Sequence, residues 1–147
     1  MPFADVNGAA LRYELSGTGP ETIVLVHEMG GTLESWDDVA PALAAKRRTL
    51  RFDMRGSGHS EKTSGTLSID TLADDLAAML DRLGVNQPIA VAGCAVGGAV
   101  AIHFAARHAE RVAGLVAMAP ATFLPPERKG PALDISAPCH ERIRRPL

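Results

Sequence analysis

The sequence predicts an α/β fold: a mostly parallel sheet with helices on both faces and an antiparallel hairpin at one edge. Three observations carry that expectation. Strand-like apolar runs alternate with stretches of helical periodicity from residue 22 onwards. Two of those runs, Thr22-Ile23-Val24-Leu25-Val26 and Ile89-Ala90-Val91-Ala92, are apolar without alternation, as strands buried on both faces are. Glycines follow the strands, at Gly30-Gly31, in the loop from Arg55, and at Gly93.

Each element has its own signal. Residues 3–6 and 11–15 flank Asn7-Gly8, a strong hairpin dipeptide. Residues 17–20 break the chain before the strand at 22–26. A helix is expected over 35–45, with Trp36, Val39, Ala40 and Leu43 on one face and Ser35 as its cap. Residues 50–52 form a short strand, and 55–65 a polar, glycine-rich loop. Ser68 can cap a helix over 69–83, where Ile69, Leu72, Ala73, Leu76, Met79, Leu80 and Leu83 make one apolar stripe and Gly84 is the stop. A strand at 89–92, a helix at 96–108 and a strand at 112–118 follow. After Pro120 the pattern is lost. Pro125, Pro126, Pro131, Pro138 and Pro146 interrupt the chain, and Arg142, Arg144 and Arg145 have few apolar neighbours, so no element is expected there. The domain reading is therefore a folded unit over 1–122 and an irregular Pro/Arg-rich tail over 123–147, either the start of a lid or an aberrant end.

Composition narrows the function. A chain of 147 residues is one domain's worth, and 46% hydrophobic residues suffice for a core. Only 4% are aromatic, so Ala, Val and Leu must fill it. A net charge of −2 without a basic stripe argues against nucleic acid or an anionic membrane as partner. The start lacks a basic region followed by a long apolar run, and no apolar stretch approaches about 20 residues, so neither a signal peptide nor a membrane span is expected. Cys94 and Cys139 are too few for a disulfide scaffold or a zinc site. The expected setting is cytoplasmic and reduced, with no metal.

Three segments follow the ends of parallel strands, where open α/β sheets bind ligands. The first is His27-Glu28-Met29-Gly30-Gly31. Its glycines let backbone N–H groups of Met29 and Gly30 point into a cleft, as an oxyanion hole requires, and a simple tight turn is the competing reading. Glu28 would oppose an oxyanion if it points inward; it faces solvent or serves as a base. His27, at a strand end, suits a buried structural role. The second segment is Asp53-Met54-Arg55-Gly56-Ser57-Gly58-His59-Ser60. Asp53 and Arg55 are expected to pair and stiffen a loop that buttresses the site, with His59 and Ser60 weaker candidates as catalysts.

The third segment reads Gly93-Cys94-Ala95-Val96-Gly97-Gly98 between a strand and a helix. Gly93 and Gly97 frame Ala95 as a Gly-x-Ser-x-Gly elbow frames its nucleophile. The following helix N-terminus aims N–H groups at the cleft, with Val96 one oxyanion donor. The Gly-Lys-Ser/Thr of a P-loop is absent. Gly93-x-Ala95-x-x-Gly98 is one substitution from a dinucleotide fingerprint, but the next strand ends Met118-Ala119-Pro120 without the required carboxylate, so no cofactor is expected. Cys94 is an alternative nucleophile, placed one position before the tip, where its side chain should turn into packing.

These segments resemble the α/β-hydrolases over roughly residues 3–122. His27 to Gly31 is similar to the family's His-Gly-x-Gly oxyanion segment, with Glu28 in place of glycine. Asp53 to Ser60 is similar to its Asp-x-Arg-Gly-x-Gly-x-Ser loop at every defined position. Gly93 to Gly98 is similar to its elbow, with Ala95 in place of serine, and Pro120-Ala121 suits the exit of its sixth strand. The closest likeness is to 3-oxoadipate enol-lactonases and related small-ester hydrolases. The resemblance implies an α/β-hydrolase fold truncated after about the sixth strand. It also implies a small-molecule ester, lactone or carboxylate as partner, and a triad incomplete in this chain. A lid, an acid and a histidine are expected further on. Asp134-Ile135-Ser136-Ala137-Pro138 is faintly similar to the entry of the acid-bearing strand, and Cys139-His140-Glu141-Arg142 departs from it. Two functions remain open: hydrolysis by ancestry, and non-catalytic binding or an inactive truncated product on the same scaffold. An uncovered sheet edge after the sixth strand is expected to promote self-association.

Overall fold

The structure, a computed structural model, describes residues 1–121 and the backbone of Leu133–Asp134. Strands β1 (Phe3–Val6) and β2 (Ala9–Ser16) form the hairpin, with Asn7 and Gly8 both at positive φ, 47° and 76°. Then come β3 (Thr22–Val26), a 3₁₀ turn (Leu33–Trp36), α1 (Ala40–Ala44) and β4 (Arg48–Phe52). A two-residue strand β5 (Leu67–Ser68) leads into α2 (Ile69–Arg82). The series closes with β6 (Ile89–Cys94), α3 (Val96–Arg107), a second 3₁₀ turn (Ala109–Arg111) and β7 (Val112–Met118). The main sheet runs β1-β2-β4-β3-β6-β7. Its hairpin pairs antiparallel, and β4, β3, β6 and β7 are mutually parallel.

The unbroken apolar character of β3 has a direct cause. Val24 and Val26 join the larger core cluster, while Leu25 and Ile23 join the smaller one on the other face. Register carries the layers across the sheet: Leu15, Leu50, Val24, Val91 and Leu115 lie opposite one another on successive strands. The larger cluster includes the α2 stripe and the buried side of α3, with Leu76, Met79, Leu80 and Phe104 fully buried. Burying each such side chain contributes about 1.5–3 kcal/mol. Trp36 and Ala40 pack with Leu25 and Ala92 on the opposite face.

Ser68 caps α2, its hydroxyl accepting from the Thr71 N–H at 3.0 Å, and Gly84 ends it at φ 66°. The cap stabilises by about 1 kcal/mol. A polar clasp joins α2 to α3. His103 Nδ1 lies 2.8 Å from Asp70, and Arg107 donates to both oxygens of Asp74 at 2.9 and 2.6 Å.

Three expectations need correction. The single helix over 35–45 is two pieces, because Pro41 has no N–H to give and is tolerated only in a first helical turn. Thr32, not Ser35, is the residue that precedes the first piece. The strand expected at 50–52 begins at Arg48, where pairing with Thr22 starts. The tail also contains a strand, β8 (Leu133–Asp134), parallel to β5, although no element was expected there. The rest of the tail, including Cys139 and the Asp134–Pro138 motif beyond its first residue, lies outside the described residues. Among the described residues, no helix is long and apolar enough to cross a membrane.

Candidate functional site

Three loops leave the C-terminal ends of β3, β4 and β6, and the structure locks them together. The first lock is His27, wholly buried after β3. Its Nε2 accepts the Met54 N–H at 3.0 Å, and its Nδ1 sits 2.6 Å from the Glu28 carbonyl oxygen. A carbonyl only accepts, so the proton belongs on Nδ1 and the ring is neutral. Burial, the largest influence, pushes its pKa down. Both ring nitrogens are engaged in holding the loop after β3 to the loop after β4.

The second lock is Asp53, also wholly buried. Its oxygens accept from the Leu33 N–H at 2.7 Å and the His59 N–H at 2.8 Å, and Arg12 Nη1 lies 3.3 Å away. Arg12 also pairs with Glu34, whose pKa that hydrogen bond pulls down to about 2. Ser60 Oγ donates to the Asp53 carbonyl at 2.6 Å and accepts from the Arg12 N–H at 2.9 Å, so its hydroxyl is committed to structure. A Cβ on Gly58 would lie 2.1 Å from the Asp53 carboxylate, so the loop wraps that group tightly.

The expected Asp53–Arg55 pair does not form. Past Phe52 the strand has ended and the chain turns at Arg55–Gly56, sending the two side chains to different neighbours. Arg55 donates to both oxygens of Asp75 on α2, each at 2.8 Å, and to the carbonyls of Val6 and Asn7. Asn7 donates to the same Asp75 at 3.0 Å. Arg12, Asp75 and Asn7 are supports that sequence reading missed. Nothing local marks them, because their partners are 20 to 68 residues away.

The third element is the elbow. Ala95 has φ 50° and ψ −114°, a region that side-chain-bearing residues rarely occupy. Its N–H donates to the Met118 carbonyl at 3.0 Å. Its own carbonyl accepts from Ala99 at 3.1 Å and Ala121 at 2.9 Å. Two glycines permit this turn by closeness. A Cβ on Gly93 would lie 2.1 Å from the Gly97 carbonyl oxygen, and one on Gly97 would lie 2.2 Å from that of Val26. The start of α3 is thus pressed onto the end of β3, beside the segment carrying Met29 and Gly30. Val96 is the first residue of α3, so its N–H has no acceptor within the helix.

Glu28 and Cys94 are placed away from the tip's chemistry. The Glu28 carboxylate accepts from the Ser35 hydroxyl at 2.9 Å. A hydrogen bond from its own backbone, and then Ser35, pull its pKa down, which weakens it as a base. Cys94 packs toward the smaller core cluster, with Leu25 and Trp36, on the face opposite α3. Met29 is exposed, and Gly30 turns the chain at φ 78°.

Beside these loops lies a cavity of about 430 Å³. It is lined by residues 29–32 on one side and 54–58 on another, with Thr63, Gly65, Leu67 and Leu72. Ala95 is not among its lining residues. The sequence does not show this cavity, because three separate loops build it.

The strained tip, its glycine frame and the strand order above have a counterpart in known proteins. Residues 21–136 match the model of the family described as alpha/beta hydrolase fold. The chain belongs to that family. Among α/β-hydrolases, an enol-lactonase from Burkholderia xenovorans superposes with a TM-score of 0.74 at 35% identity, over 78% of this chain and 45% of that one. The dihydrolipoyllysine-residue acetyltransferase component of an acetoin cleaving system in Pseudomonas putida is 40% identical over 119 residues, 80% of this chain and 32% of that protein. A soluble epoxide hydrolase of a Corynebacterium species is 34% identical over 102 residues, 69% of this chain and 35% of that protein. The chain therefore spans less than half the length of each of these α/β-hydrolase relatives.

Proposed function

We propose that this α/β-hydrolase chain carries the elbow and oxyanion portion of an ester- or lactone-directed site, and holds a carbonyl or carboxylate ligand without acyl transfer through residue 95. The observation that carries this reading is Ala95 itself: elbow backbone at φ 50°, and a methyl group where a nucleophile would stand. The neighbouring groups do not replace it. Cys94 packs on the other face, Ser60 is hydrogen-bonded on both sides, and Glu28 is held anionic against Ser35. The helix N-terminus and the turn at Gly30 remain as the anion-favouring part.

The test is a pair of measurements on the intact chain. Thermal shift with γ-butyrolactone and short carboxylates should show saturable stabilisation, while p-nitrophenyl acetate should hydrolyse at the background rate. Ala95→Ser alone should add little, because His27, His103 and His108 are each engaged elsewhere. Rapid ester turnover by Ala95→Ser, blocked by a serine-directed organophosphate, would overturn the binding reading in favour of hydrolysis.

A second reading concerns self-association. Leu115, Val116 and Met118 are 43%, 54% and 40% exposed on β7, the last strand of the main sheet. Leu115 and Val116 lie on opposite faces, so both faces of this edge present apolar surface. We propose that β7 mediates pairing between copies. Sedimentation velocity should show a dimer that Val116→Lys dissociates, and a monomer at high concentration would refute it. We also infer a cytoplasmic, reducing setting from the sparse cysteines, which cell fractionation would test.

A further inference from the structure

The cavity beside the loops has a character that says what it takes. Met29, Met54, Leu67 and Leu72 supply its apolar surface. Arg55 is the one charged residue lining it, and its guanidinium is spent on Asp75 at 2.8 Å and on the carbonyls of Val6 and Asn7 at 3.3 and 3.1 Å. A carboxylate entering here would lose its hydration and find no free cation among the lining residues. An apolar chain would instead be freed from water. Met29 belongs both to this lining and to the oxyanion segment, so the cavity begins where a ligand's carbonyl would sit.

We propose that this cavity receives the uncharged apolar chain of an ester or lactone, and rejects ligands whose chain ends in a carboxylate. The proposal rests on the reading of the neighbouring loops as a carbonyl-binding site, and it goes further by fixing the substrate class: neutral, chain-bearing acyl compounds. The chemistry here is binding, with no covalent step.

The experiment is isothermal titration of the intact chain with γ-butyrolactone, then γ-lactones with alkyl chains of two, four and six carbons. A γ-lactone with a carboxylate-ended chain and 1-octanol complete the set. Affinity should rise up to about fourfold per added methylene, the equivalent of about 0.8 kcal/mol for each buried CH₂. The carboxylate-ended lactone should bind at least tenfold more weakly than its alkyl counterpart. Thr63→Trp, which fills the cavity from a half-buried lining position, should abolish the chain-length dependence and leave γ-butyrolactone unchanged. Ser57→Trp is the second such variant, with circular dichroism melts confirming that both fold. Equal or tighter binding of the carboxylate-ended lactone overturns the proposal, as does a flat chain-length series. Chain-length dependence that survives both tryptophan variants overturns it too. Octanol binding as well as the matched lactone would leave the apolar cavity standing and sink the carbonyl-site reading instead.

Discussion

Replacing Ala95 with glycine should make the protein more stable, although it removes a methyl group. At φ 50° and ψ −114° the alanine occupies a backbone region that costs a side-chain-bearing residue about 1–3 kcal/mol. Glycine removes that cost. Against it stands the greater freedom of glycine in the unfolded chain, about 0.4–1 kcal/mol. The half-buried methyl adds a smaller loss, under about 0.8 kcal/mol. The balance is about 1 kcal/mol of stabilisation, a rise in Tm of about 3 °C for a chain of this size. Differential scanning calorimetry and urea titration at pH 7.5 measure both, and the m-value should not change. The control is Gly97→Ala, two residues on. Its new Cβ would stand 2.2 Å from the Val26 carbonyl oxygen, which is backbone and cannot swing aside. That substitution should cost about 3 kcal/mol. If Ala95→Gly lowers Tm, residue 95 does not hold the strained turn, and its identification as the nucleophile position fails.

The remaining predictions concern the loops around it. Burial holds the His27 pKa below its ordinary 6.5, so the unfolded chain takes up the proton first as pH falls. Its contribution is complete above about pH 6.5 and declines below it; a Tm series from pH 8 to 5 should show the slope, and His27→Gln should flatten it. Asp53→Ala strands the buried Arg12 guanidinium and two N–H groups, and should cost about 3–5 kcal/mol in chemical denaturation. Cys94 should react slowly with iodoacetamide in the native chain and fast in urea, followed by peptide mass mapping; rapid native labelling would show that it faces the cleft.

Much of the fold was legible because its signals are local. The apolar run at β3 reports burial on both faces, and Ser68 and Gly84 bracket α2 through residues within a turn of each end. The elbow was legible for a similar reason, since glycines at 93 and 97 are the residues that such a close approach demands. Where reading failed, the deciding partner was distant. Asp53 and Arg55 are neighbours of opposite charge, yet Arg12 and Asp75, from other parts of the chain, claim them. The helix at 35–45 shows a different limit. Its apolar spacing is helical throughout, and one proline overrules it. The cavity could not be read at all, because residues 29–32, 54–58 and 63–72 meet only after the sheet has formed.

The closeness of Gly97 to the end of β3 has one further consequence. The shape of the tip is set by main chain against main chain, and residue 95 adds nothing to it except the side chain it displays. Form and reagent are therefore separable at this point. A set of side chains installed at residue 95 would be presented on one unchanged mount, with polarity, acidity or a tethered label as the only variable. The protein is in that sense a holder with an exchangeable head, and the methyl group of Ala95 is its blank.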